Sequence, residues 1–130
     1  MSWGYTFFPP KQLPLTHETL SEETVGTFHD ADAVRAAISA HLPDLVWTHG
    51  QGATLHRGVV TERDAEYEYV YELTILHHVE ADTPSLIVSV RCSGRFDSAP
   101  FAQRMCDATG WIAFDDRVCL FQPHRPPLAP

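Results

Sequence analysis

The stretch EYEYVYELTILHHV, residues 66–79, decides the fold of this chain. Tyr67, Tyr69, Tyr71, Leu73, Ile75 and Val79 occupy one set of alternating positions, interrupted by His77. Glu66, Glu68, Glu72, Thr74 and His78 occupy the other set, with Val70 and Leu76 as its apolar members. Successive side chains of a strand point to opposite faces, so this pattern predicts an antiparallel strand covered on one side only. The span is long for a single strand, which predicts a bulge or bend within it.

Working outward, the turn Ala81-Asp82-Thr83-Pro84 leads to Leu86, Val88, Val90 and Cys92, which alternate with Ile87, Ser89 and Arg91. Sequential strands joined by a short loop usually pair, so a hairpin is expected. On the other side, strands at 45–48 and 53–60 flank His49-Gly50-Gln51-Gly52. Leu55 and Val59 are expected on one face of the second of these, with His56 and Val60 on the other. Glycines on both sides of Gln51 make the reversal cheap.

Two helices follow from different cues. Val34, Ala37, Ile38, His41 and Leu42 recur at helical spacing in 31–42, with Asp30 as N-cap, Asp32 in the first turn and Pro43 as the stop. The second spans 99–109. Ser98 or Asp97 can cap it, Pro100 sits near the first position, and Gly110 takes the C′ place. Its apolar stripe reads Phe101, Met105 and Ala108, extended by Ala102 and Thr109.

The ends are less regular. Trp3 to Phe8 is an aromatic strand that stops at Pro9-Pro10 and could serve as core or as a dimer seam. Residues 11–29 read as a polar loop with short turns. Strands at 111–114 and 118–121 flank the turn Asp115-Asp116-Arg117, and PHRPPLAP at 123–130 reads as a poorly ordered proline-rich tail. The order is β-α-β-β-β-β-α-β-β. It predicts an α+β domain over 1–122, an antiparallel sheet of about five to seven strands with two helices on one face in a two-layer sandwich.

Composition narrows the functional classes. The chain has 130 residues, 44% of them hydrophobic, enough for one core without a disulfide or metal scaffold. Nine Lys+Arg against seventeen Asp+Glu give a formal charge of −8. Lys11 is the only lysine and the arginines are scattered, which disfavours a phosphate-binding surface and hence nucleic acid. There is no apolar run of membrane-spanning length and no secretory signal pattern, so a cytoplasmic protein without a membrane partner is expected. Cys92, Cys106 and Cys119 are odd in number and widely spaced, which favours buried free thiols.

Catalytic and metal chemistry finds little purchase. The eight histidines include His77-His78, whose adjacent side chains diverge on a strand, and His49 and His56, which could approach across a hairpin without an evident third ligand. No nucleophile elbow, zinc-protease, Walker or dinucleotide motif is present, so no metal, cofactor or catalytic residue is assigned. Cys92 shares the alternating set of Leu86, Val88 and Val90 and reads as core. Asp115 and Asp116 suit a tight turn. Glu62, Asp64, Glu66, Glu68 and Glu72, opposed locally only by Arg63, read as a solvated stripe or as a negative ridge that a basic partner could meet.

WGYTFF at 3–8, AVRAAISAHLPDLVW at 33–47 and FAQRMCDATGWIAFDD at 101–116 are similar to segments of small bacterial immunity-type proteins that neutralise a cognate toxin. The resemblance covers about half of the chain and transfers no functional residue. It implies stoichiometric binding of a basic toxin, for which Glu66, Glu68, Glu72, Asp115 and Asp116 are the candidate contacts. A small accessory or scaffold domain is the alternative. A small-molecule-binding protein or a hydrolase using histidine and carboxylate is a third, and a deep pocket would distinguish it from a flat acidic face. The oligomeric state is not encoded in any pattern read here.

Overall fold

The computed structural model describes residues 2–78, 85–93 and 97–130. The turn expected at 81–84, the end of the long strand at Val79 and Gly94 lie outside the described residues. Among the described residues the strands are β1 (Ser2–Phe8), β2 (Val46–His49), β3 (Thr54–Arg63), β4 (Glu68–His78), β5 (Ser85–Ser93), β6 (Ile112–Asp115), β7 (Leu120–Gln122) and β8 (Arg125–Leu128). They form one sheet in the order β2-β3-β4-β5-β1-β6-β7-β8. Every pairing is antiparallel. Helices α1 (Ala31–His41) and α2 (Ala99–Thr109) pack on one face, giving the expected α+β layering. No helix among the described residues is long and apolar enough to cross a membrane.

The chain builds this sheet from two meanders, β2-β3-β4-β5 and β6-β7-β8, with β1 between them. Tyr5 and Phe7 of β1 are buried in the core under the helices. Tyr71, Leu73 and Ile75 of β4 and Val88, Val90 and Cys92 of β5 continue the same covered face. Val34 and Ile38 from α1, and Phe101, Ala102, Met105 and Cys106 from α2, close over them. Tyr71 and Phe101 stack nearly parallel with ring centroids 3.8 Å apart. Burial of each such aromatic contributes on the order of 2 kcal/mol.

Local chemistry fixes the ends of the helices. Asp30 accepts the Ala33 amide at 3.1 Å and caps α1. At α2, Asp97 accepts from the Ala99 amide at 3.0 Å, while Ser98 turns inward to the Tyr5 hydroxyl at 2.8 Å. Gly110 ends α2 at φ 78°, where a side chain would be strained. The buried stripe of α2 includes Cys106 where Ala108 was expected, and Ala108 is exposed. The sheet meets this helix along 101, 102, 105 and 106, one step round from the stripe read in the sequence.

Three sequence expectations change in the strands. β4 starts at Glu68, because Asp64 holds residues 64–67 in a turn: its Oδ1 accepts the Glu66 and Tyr67 amides, both at 2.8 Å. Tyr67 is therefore 64% exposed and leaves the core set. The irregularity expected in this strand lies instead in β3, between Thr54 and His56. That bulge breaks the alternation, so Leu55 packs toward the main core with Val60 and is not paired in orientation with Val59.

The third change concerns 123–130. This segment is not a loose tail: Arg125–Leu128 forms edge strand β8 on β7. Proline lacks an amide donor, but an edge strand pairs on one side only. Pairing runs through Gln122–Arg125 and Leu120–Leu128, with the register shift between them taking up Pro126 and Pro127. With β8 the sheet reaches eight strands.

The polar stretch after β1 has an unexpected task. Leu15 is 1% exposed and forms a second cluster with Ile112 and Leu120 on the face away from the helices. Gln122, also buried, clamps it: the Leu15 amide donates to Gln122 Oε1 at 2.7 Å and Gln122 Nε2 donates to the Leu15 carbonyl at 2.8 Å. Phe8, Leu20, Val25, Phe114 and Leu128 pack around this cluster. The face opposite the helices is thus covered at the β6–β8 end and uncovered over β3, β4 and β5.

Candidate functional site

The uncovered face is built by strand alternation. Tyr71, Leu73 and Ile75 point to the helices, so Glu68, Val70, Glu72, Thr74 and Leu76 point away. The β3 register sets Arg57 opposite Thr74 and Arg63 opposite Glu68, and the β5 register sets Arg91 opposite Glu72 and Ser89 opposite Thr74. β1 completes the surface with Gly4 opposite Arg91 and Thr6 opposite Ser89. The result is a band of hydroxyls bordered by charges of both signs.

The negative ridge expected from the sequence is therefore interleaved with arginines. Arg57 Nη2 donates to Glu72 Oε2 at 2.8 Å, and Arg63 Nη2 lies 2.8 Å from Glu68 Oε2. The Arg57 hydrogen bond holds the Glu72 carboxyl below the usual glutamate range. Glu62 belongs to the helix face, where Arg104 of α2 takes both of its oxygens. Sequence distance hides these partners: Arg57 reaches Glu72 only once β3 and β4 pair, and Arg104 reaches Glu62 from another element.

The candidate contacts separate into three groups. Glu68 and Glu72 share the uncovered face, and Asp116 reaches its border from the β6–β7 turn, beside Gly4. Glu66 is exposed in the turn before β4 and sits off the strand alternation. Asp115 is occupied locally, because its Oδ1 accepts the Arg117 and Cys119 amides, both at 2.9 Å. Tyr67, 64% exposed in the same turn, lies beside Tyr69 of the helix face, with ring centroids 6.5 Å apart, and not on the uncovered face. Its place in the alternating pattern concealed it, and the signal that could have revealed it is the Asp64 turn motif.

The cysteines and the histidine pair lie elsewhere in the fold. Cys92 and Cys106 are buried, and burial pushes their thiols up to about 11 and about 12. A thiol held protonated is a poor nucleophile. Cys119 is partly buried, and its thiol is also raised, chiefly by desolvation. His49 and His56 do face each other across the β2–β3 hairpin, with ring centroids 5.9 Å apart. Desolvation, then Arg35 and His49, lower the His56 pKa. Among the described residues no group of three or more His, Cys, Asp or Glu side chains could hold a metal ion.

Comparison of the chain with protein-family models, with curated proteins and with solved structures found no match.

Proposed function

We propose that this chain is a non-catalytic binding domain that docks a basic protein partner on the uncovered face of its sheet. The observation that carries the reading is the gathering of Glu68, Glu72 and Asp116 on the uncovered side of β4, β5 and β1. The formal charge of −8 steers a basic partner toward the domain, and the interleaved arginines demand a complementary pattern rather than any polycation. Raised thiols and carboxylates held in ion pairs or turns support binding over nucleophilic or acid–base chemistry.

On the resemblance to immunity-type proteins, the partner is a bacterial toxin whose basic active-site surface the domain covers. The test is calorimetric titration of the chain into the purified protein products of the genes adjacent to its own. A one-to-one complex is expected, weakened about tenfold or more by the double substitution Glu68→Lys and Glu72→Lys and relieved further by salt. Circular dichroism of the variant checks that the fold is kept. Absence of a complex, or an affinity indifferent to both reversals, would overturn the reading.

A further inference from the structure

The uncovered face contains a notch whose chemistry the paired carboxylates do not exhaust. It measures about 310 Å³ and lies over β1, β4 and β5, bounded by the β6–β7 turn. Its polar lining comes from Thr6, Glu72, Thr74, Ser89, Arg91 and Asp116. The Thr74 and Ser89 hydroxyls bond to each other at 2.7 Å and form the floor. Gly4 stands opposite Arg91 and leaves bare backbone between that guanidinium and Asp116. A Cβ at position 4 would stand 3.6 Å from Asp116 Oδ1, so any side chain there would enter the notch.

The charges lining the notch are used unequally. Glu72 already holds Arg57. Among the described residues no side-chain hydrogen bond or ion pair joins Arg91 to Asp116 or ties either to a third group, and Arg91 acts on Glu72, opposite it across the β4–β5 pair, through a longer-range Coulomb attraction that ranks behind the Arg57 hydrogen bond. A cation and a carboxylate thus face the same small polar space without neutralising each other. A purely anionic ligand placed there meets Glu72 and Asp116 at short range, and a purely cationic one meets Arg91. A molecule with one charge of each sign meets a partner at both ends.

We infer that this notch binds a compact zwitterion of amino-acid size, its anionic group on Arg91 and its cationic group on Asp116. Guanidinium–carboxylate contact suits the anionic end, since an arginine fork matches two carboxylate oxygens. The hydroxyl floor offers donors and acceptors to the segment between. The inference goes beyond the protein-binding reading and does not depend on it.

The test is an amide-shift titration of the chain by two-dimensional NMR with glycine, β-alanine and 4-aminobutyrate, zwitterions of increasing charge separation. Acetate and methylammonium serve as the single-charge halves. Saturable shifts at Gly4, Thr6, Ser89 and Arg91 are expected with at least one zwitterion, about tenfold tighter than with either half. Arg91→Gln and Asp116→Asn should each weaken that binding, and Gly4→Val should block it while leaving both charges in place. Gly4 has no positive φ, so the strand can accept valine. The inference fails if no zwitterion saturates, if a half binds as well as the whole, or if Arg91→Gln and Asp116→Asn bind like the parent chain. Because the readout involves no protein partner, its failure and that of the docking reading are separately visible.

Discussion

The face of the sheet opposite the helices divides into two halves that follow the same alternation and meet different fates. At the β6–β8 end the residues on that face are Ile112, Phe114 and Leu120, and the 9–27 segment folds over them through Leu15. At the β3–β5 end they are Arg57, Glu72, Thr74, Ser89 and Arg91, and no described segment covers them. Burial of charges and hydroxyls without full pairing costs more than it returns, whereas the aliphatic patch repays the ordering of a loop. Residue type on the second face, and not strand periodicity, decides where this two-layer fold acquires a third partial layer. The uncovered half is consequently left open to solvent.

The sharpest way to break that comparison is to remove the covering side chain. Leu15→Ala should destabilise the domain by about 2–5 kcal/mol, because Leu15 is 1% exposed and its neighbours Ile112 and Leu120 are fixed in strands. Val59→Ala on the uncovered half should cost less than about 1 kcal/mol, since its methyl groups lose little packing. Urea denaturation of both variants compares them directly. Equal costs would show that the 9–27 segment contributes no packed layer.

The sheet was legible where one face was strongly apolar: Tyr71, Leu73 and Ile75 carry a pattern that only a half-covered strand satisfies. The two helices were legible because Asp30, Pro43, Pro100 and Gly110 punctuate them. Leu15 was hidden by its polar neighbours, since one leucine has no period and its cluster forms only through β6 and β7. β8 was hidden because prolines argue against a strand unless it lies at an edge, and edge position is a property of the assembled sheet. The candidate site was half legible. The alternation placed Glu68 and Glu72 together, but Arg57, Arg91 and Asp116 come from three other elements, and local sequence carries no record of those encounters.

A subtler contrast lies at the β2–β3 end, where His49 and His56 face each other on the helix side, near Arg35 and Asp32. Desolvation leads the causes that lower the folded His56 pKa, with Arg35 and His49 adding to it and Asp32 opposing it. Protons therefore bind the unfolded chain more readily at this site. The stability His56 confers is complete above its unfolded pKa of about 6.5 and is lost as pH falls from there through the lowered folded value. Thermal melts of the parent chain and of His56→Gln should run parallel above neutrality and converge as the pH is brought below 6, after allowance for the carboxylates common to both. Parallel curves throughout would remove His56 from the acid sensitivity of the fold.

The smallest expected effect concerns the pair that most alters the uncovered half, Arg57 with Glu72. Both side chains remain partly in solvent, at 52% and 33% exposure, so the Coulomb gain is screened and offset by side-chain ordering. A double-mutant cycle with Arg57→Gln and Glu72→Gln should return a coupling well below the Leu15 effect, shrinking further as salt is raised. Glu72 has a depressed carboxyl, so whatever the pair contributes is present above the unfolded glutamate pKa and disappears as pH falls through the folded value. If the coupling instead rivals the core substitution and ignores salt, the uncovered half is a rigid lattice of charges whose geometry is set before any partner arrives. A weak, salt-sensitive coupling leaves Glu72 free to exchange Arg57 for another cation, which is what the proposed docking on this face requires.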